Sequence, residues 1–226
     1  MDGAVGGAGG DDAAAEGCLN SPSWSRGALV VERVGGESGG ALWLCAAGEG
    51  VLIGAPAGTA AALGDRVHAL RSIVLLTGRL ERVSGLVSVF ARLERPSGVP
   101  LALRCPLSDE RATTLAEAWQ RAWGSFPVTI DAIAPGHPVE LGAARLRTIA
   151  LSDPAGGPPP MGVSLDWAGS TVAVLPRCRA DGAARSIARN ADLVIAELGG
   201  GGLSVRQAVE LSGDAELWVE PTLVDQ

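Results

Sequence analysis

Residues 72–95 constrain the fold more than any other stretch. Ser72-Ile73-Val74-Leu75-Leu76 is a continuous apolar run of strand length, the pattern of a strand covered on both faces. A polar loop follows, Thr77-Gly78-Arg79-Leu80-Glu81-Arg82-Val83. Ser84–Arg95 then reads as a helix, with Leu86, Val89, Phe90 and Leu93 on one face and Ser84 as its N-cap. A strand without a solvent face belongs inside a layered α/β structure, because each face must be buried against another element.

The rest of the chain repeats and varies this theme. Ala28–Val34, Ala41–Ala46 and Gly50–Ala55 read as strands, the last two joined at Ala47-Gly48-Glu49 as a hairpin. Pro56 and the residues after it suit a short helix, since proline is tolerated in a first turn. "VPLALRC" is a strand, and Ser108–Trp123 is a helix capped by Ser108, with Leu115, Trp119 and Trp123 as packing residues. From Val128 the pattern turns strand-rich: "VTIDAI", "PVEL", "ARLRTIAL", "GVSLDW" and "STVAVLP", with the surface loop "DPAGGPPPMG" between two of them. A helix near Ala183–Asn190, the strand "DLVIAEL", the helix "LSVRQAVEL" and the strand "AELWVEP" close the chain. Strands, βα units, strands and βα units in that order suit two sheets packed face to face with helices outside.

Composition limits function as well as fold. Of 226 residues 47% are hydrophobic, enough for a full-sized core. Residues 1–26, glycine-rich and acidic, read as a flexible tail, and 27–226 as a single domain. The tail has no basic and apolar leader pattern, and no apolar run reaches membrane length, so a cytoplasmic protein is expected. Every basic residue is arginine, in a composition typical of a GC-rich bacterial genome. The net charge of −7 argues against a phosphate-backbone partner, and Arg177, Arg179, Arg185 and Arg189 read as a solvated helix face. Cysteines 18, 45, 105 and 178 form no C-x-x-C pair, which speaks against a zinc ribbon or redox motif. Cys178, flanked by arginines, would be a reactive thiol only if exposed.

Four segments, "GEGVLIGAPAGTAAAL", "IVLLTGRLERVSGLVSV", "STVAVLPRCRADGAARSIARNADLVIAEL" and "GGLSVRQAVELSGDAELWVEP", resemble the metallo-β-lactamase fold in order and spacing. The likeness is to its ribonuclease Z, phosphodiesterase and pyrroloquinoline quinone synthesis protein B branch, and spans roughly residues 28–222. It implies an α/β four-layer αβ/βα sandwich with two mixed sheets and outer helices. It also implies where metal ligands would fall. Aligned on Gly85-Leu86, the two histidines of the family's H-x-H fall at Thr77 and Arg79, and its Asp-His pair at Glu81 and Arg82. The metal-bridging aspartate falls at Arg177, a further histidine near Ser152 or Asp153, and the last near Glu220.

A catalytic zinc takes about three protein ligands and a water. The chain has two histidines, His68 before the central strand and His137 in a turn, and neither matches a ligand position. Permanently charged guanidinium groups at Arg79, Arg82 and Arg177 would repel a divalent cation. Thr77, Arg79, Glu81, Arg82, Asp153 and Arg177 are therefore read as the positions of a degenerate site, with no cofactor and no metal. Glu81 and Asp153 are the expected counter-charges of the arginines. The leading reading is a non-catalytic binding, accessory or regulatory subunit whose partner is protein, either a second copy or an active relative of the same fold. A hydrolase with a divergent site and an anion or small-ligand sensor built on the arginines are the alternatives.

Overall fold

A computed structural model of the chain describes residues 23–35, 40–93, 101–122 and 128–221. Two sheets form its centre. The first runs in spatial order through β1 (Ser23–Arg26), β2 (Leu29–Val34), β3 (Ala41–Ala46), β4 (Glu49–Ile53), β5 (Leu70–Val74), β6 (Leu101–Pro106) and β7 (Val128–Ile133). Its first four strands pair antiparallel and the remainder parallel. The second holds β8 (Val139–Leu141), β9 (Ala144–Ala150), β10 (Met161–Trp167), β11 (Ser170–Leu175), β12 (Leu193–Leu198) and β13 (Glu216–Pro221). It too passes from antiparallel to parallel pairing, with β11, β12 and β13 parallel.

Parallel neighbours need crossovers, and helices supply most of them. On the first sheet these are α1 (Thr59–Leu63) with a 3₁₀ turn, α2 (Leu80–Val83), α3 (Leu86–Arg92) and α4 (Glu110–Ala122). On the second they are α5 (Gly182–Ala188) and α6 (Val205–Ser212). One apolar cluster, including Leu44, Leu146, Val163 and Val174, fills the space between the sheets. A second lies under α1, α3 and α4, and a third under α5 and α6. The layers are therefore helix, sheet, sheet, helix.

Several local expectations shift. The first sheet begins at Ser23, because Trp24 is buried opposite Val31, so residues 23–26 belong to the fold and not to the tail; residues 1–22 lie outside the described ones. The helix expected over Ser84–Arg95 starts at Leu86 as α3, and the short α2 precedes it within the expected polar loop. Gly85 is the N-cap of α3, and Ser84 closes α2. The break is steric: a Cβ on Gly85 would stand 2.0 Å from the carbonyl oxygen of Pro56, so only glycine lets these chains cross. At α4 the cap is Asp109, whose carboxylate accepts from the Arg111 N–H at 3.2 Å, while the Ser108 hydroxyl donates to the Pro159 carbonyl. Leu115 packs on the second cluster as expected, and Trp119 and Trp123 fall where side chains lie outside the described residues.

Candidate functional site

Residues that follow strands of both sheets line one cleft, and in open α/β sheets the crevice at the carboxyl ends of the strands collects ligands. Here β5 delivers Thr77 and Arg79 and leads to Glu81 and Arg82 on α2. The turn after β11 brings Arg177, and the loop after β9 brings Asp153. All six line one small cleft together with Pro158, Pro160, Pro176 and Glu197.

Charge governs its interior. Arg82 Nη2 donates to Glu197 Oε2 at 2.9 Å, and Arg82 Nη1 lies 3.6 Å from Glu220 Oε2. Glu220 also faces Arg33 Nε at 3.4 Å, and the backbone N–H of Arg177 donates to Glu197 at 3.2 Å. Asp153 sits between Arg79 and Arg177, 3.4 Å from one Nη2 and 3.5 Å from the other. Every arginine of the cleft thus meets a carboxylate of the same chain.

These carboxylates only partly match the expected ones. Asp153 is a counter-charge as read from sequence. Glu81 is not: it stands exposed at the rim, and no ion pair among the described residues uses it. The helical turn of α2 sends Arg82 inward and its neighbour Glu81 outward, since adjacent helical positions diverge by about 100°. Glu197 and Glu220 take its place. Glu197 closes the "DLVIAEL" segment, but sequence spacing gave no reason to bring β12 against α2.

Burial decides the protonation of this group. Removal from water opposes the charge on Arg82, yet Glu197 and Glu220 outweigh it and raise its pKa further. Glu220, only 7% exposed, has its carboxyl pushed up by burial. Arg33 and Arg82 pull the other way, while Glu197 repels it. Both directions fit one picture, because Arg82 serves two carboxylates and Glu220 is the more distant. Behind Arg82 a cavity of about 50 Å³ is walled by Leu42, Ile53, Leu76, Val174 and Ile195, with Glu220 at its polar end.

A residue that sequence reasoning missed fixes the loop carrying Thr77 and Arg79. Asp109 is 3% exposed and accepts from the Gly78 N–H at 2.6 Å and from Arg111 Nε at 3.0 Å, with Thr77 Oγ1 at 3.4 Å. Burial works against its charge, but these bonds hold its carboxyl below the usual aspartate range. The signal was present, since aspartate directly before a helix is a capping residue.

Other expectations resolve simply. His68 and His137 are exposed and outside the cleft. Cys178 is buried and its thiol is pushed up to about 12 by burial, then by Asp181 and Glu197, so it is no reactive nucleophile. The expected arginine face divides: Arg179, Arg185 and Arg189 are exposed, and Arg177 turns into the cleft. No helix of the described residues is long and apolar enough to cross a membrane.

No protein-family model matches this sequence, and neither does any curated protein sequence. Solved structures do. A metallo-β-lactamase fold protein, YhfI from Bacillus subtilis, superposes with a TM-score of 0.66 at 12% identity, over 86% of this chain and 82% of that one. The short form of human tRNase Z gives 0.67 at 16% identity, over 86% and 95%. Zinc-bound PqqB from Methylobacterium extorquens gives 0.61 at 14% identity, over 82% and 76%. The chain has the metallo-β-lactamase fold, in agreement with the resemblance of its segments. At such identities the likeness establishes the fold, and the chemistry must be read from the residues.

Those residues do not fit a metal. Among the described residues no three His, Cys, Asp or Glu side chains gather so as to hold an ion. Asp153, Glu197 and Glu220 are already engaged by guanidinium groups, which would have to be displaced before they could act as ligands.

Proposed function

We propose that this chain is a non-catalytic protein of the metallo-β-lactamase fold that works by binding, as an accessory or regulatory subunit. The observation that supports this most directly is that the Arg79–Asp153–Arg177 and Arg82–Glu197–Glu220 groups occupy the cleft where the resemblance would place metal ligands. In hydrolysis at a metal centre the ion supplies the activated water and the Lewis acid. Arginines engaged with carboxylates supply neither. They hold the loops after β5, β9 and β11 to one another and to strands β12 and β13.

A protein partner, either a second copy or an active relative of the same fold, is part of this proposal. Val205 and Val209, one turn apart on α6, and Val219 on β13 are large apolar side chains exposed to solvent. They supply apolar surface of the kind interfaces use. The test is elemental analysis of the purified chain, followed by assay of a chromogenic phosphodiester with zinc or manganese added. The expected result is substoichiometric metal and no metal-dependent turnover. About two metals per chain with metal-dependent hydrolysis would overturn the proposal and leave a hydrolase with a divergent site.

A further inference from the structure

The carboxylate of Asp153 lies between guanidinium groups that come from the two different sheets, Arg79 after β5 and Arg177 after β11. Its contacts of 3.4 and 3.5 Å are long beside the roughly 2.7–2.9 Å of a well-formed charge-assisted bond. Arg177 Nε is buried and makes no hydrogen bond among the described residues. The arginines therefore hold more donor capacity than Asp153 takes up. A guanidinium presents its Nε and one Nη as a fork for the two oxygens of a carboxylate. Asp153 reaches only the Nη2 of that fork.

What restrains Asp153 is its own loop. One of its oxygens also accepts from the Ala155 N–H at 2.9 Å, which turns the carboxylate toward its own backbone. Past that turn, Ala155–Pro159 is exposed, and it contains Gly156 with φ of 73°, a conformation that favours glycine. Side-chain bonds from the rest of the fold reach this segment at Pro154 O, from Arg179 Nη2 at 3.3 Å, and at Pro159 O, from Ser108 Oγ at 3.4 Å. Both are long, and both donors are on exposed residues. A space of about 20 Å³ remains beside the arginines, enough for roughly one water.

We infer that Arg79 and Arg177 form a binding site for a single carboxylate group and that Asp153 is its tethered competitor. An incoming carboxylate takes the Nε–Nη2 fork of Arg177, and Asp153 swings out to water with the 153–159 segment, Pro160 staying anchored by the Leu151 N–H at 2.9 Å. The exchange leaves the charge of the cleft unchanged. Glu81 and Glu197 on the same walls disfavour polyanions such as phosphate esters, which selects a monoanion. The ligand is a small carboxylic acid or the acidic side chain of a protein partner. This deepens the binding-protein reading and rests on it.

Calorimetric titration separates the possibilities, at constant ionic strength against sodium chloride. The probes are acetate, a blocked tripeptide carrying one glutamate, its glutamine counterpart, and inorganic phosphate. The parent chain should bind acetate weakly and saturably. Asp153→Asn should tighten this several-fold, because it removes a tethered anion that competes for the same guanidinium groups. Adding Arg177→Gln to that variant should abolish the gain, and phosphate should bind less well than acetate. A glutamate peptide that binds better than acetate, with the glutamine peptide silent, assigns the site to a protein partner; the reverse order assigns it to a free acid. An Asp153→Asn chain that binds acetate no better than the parent overturns the inference, as does a gain that survives Arg177→Gln. Should the variant fail to fold, limited proteolysis of the parent decides. Acetate should raise cleavage within 155–159 saturably, and an unresponsive loop overturns the inference. A metal-free, non-hydrolytic chain that ignores carboxylates sinks this inference and spares the proposed function, whereas stoichiometric metal sinks the proposed function first.

Discussion

Arg82 Nη2 donates to Glu197 Oε2 at 2.9 Å, and this bond joins the first sheet to the second at the mouth of the cleft. Both side chains are largely buried, with 16% and 12% of their surfaces exposed. In water such a pair contributes little, but in this setting each charge depends on the other.

Arg82→Gln should therefore cost about 3–5 kcal/mol, because it leaves Glu197 and Glu220 facing each other without their shared cation. Two substitutions calibrate that figure. Glu81→Gln, at the exposed rim, should fall within about 0.5 kcal/mol of the parent. Arg206→Gln, which breaks the exposed Arg206–Glu210 pair on α6, should cost about 0.3–0.5 kcal/mol. Urea unfolding of the three variants provides the comparison. An Arg82 variant as mild as the Glu81 one would mean that the network is solvated.

The Glu220 carboxyl carries a pH signature. Its folded-state pKa is raised above the usual 4.5, so protonation favours the folded chain. Its contribution is complete below 4.5 and is lost as pH rises through the raised folded value. Glu220→Gln, neutral at every pH, should thus gain on the parent as pH climbs through that window. Urea midpoints of both proteins between about pH 4 and about pH 8 test this. Parallel curves would show that Glu220 titrates alike in the folded and unfolded chains.

Asp109 should behave in the opposite sense. Its folded pKa lies below the usual 3.8, so its stabilisation is present above 3.8 and is lost as pH falls through the folded value. Asp109→Asn removes that acid limb and should cost about 1–3 kcal/mol, the range for losing a hydrogen bond made to a charge. Hydrogen exchange at the Gly78 amide, which donates to Asp109 at 2.6 Å, should accelerate in the variant. Unchanged exchange there would remove Asp109 as the anchor of the loop.

The elements of this fold were legible because their signals are local. The apolar run 72–76 overlaps β5, which spans Leu70–Val74, because its side chains are buried, and Leu86, Val89 and Phe90 recur at helical spacing because one face of α3 meets the sheet. That Thr77, Arg79, Arg82 and Arg177 share one cleft was implied by the resemblance of the segments to the metallo-β-lactamase fold, not by spacing alone. The capping errors at Ser84 and Ser108 came from preferring a serine, when a carbonyl 29 residues away forbids a side chain at Gly85 and a carboxylate is needed at Asp109 to receive the Gly78 amide.

By itself the sequence determined the strands and helices of two helix-covered sheets, because periodicity is a property of neighbouring residues, and only its resemblance to a known fold implied arginines where the loops converge. Which carboxylate faces which arginine was decided only by the tertiary structure. Arg82 meets Glu197 and Glu220, more than a hundred residues along the chain, and not its neighbour Glu81. The reason is geometric. Rotation along a helical turn separates adjacent side chains, while the packing of two sheets brings distant strand ends within reach of a hydrogen bond.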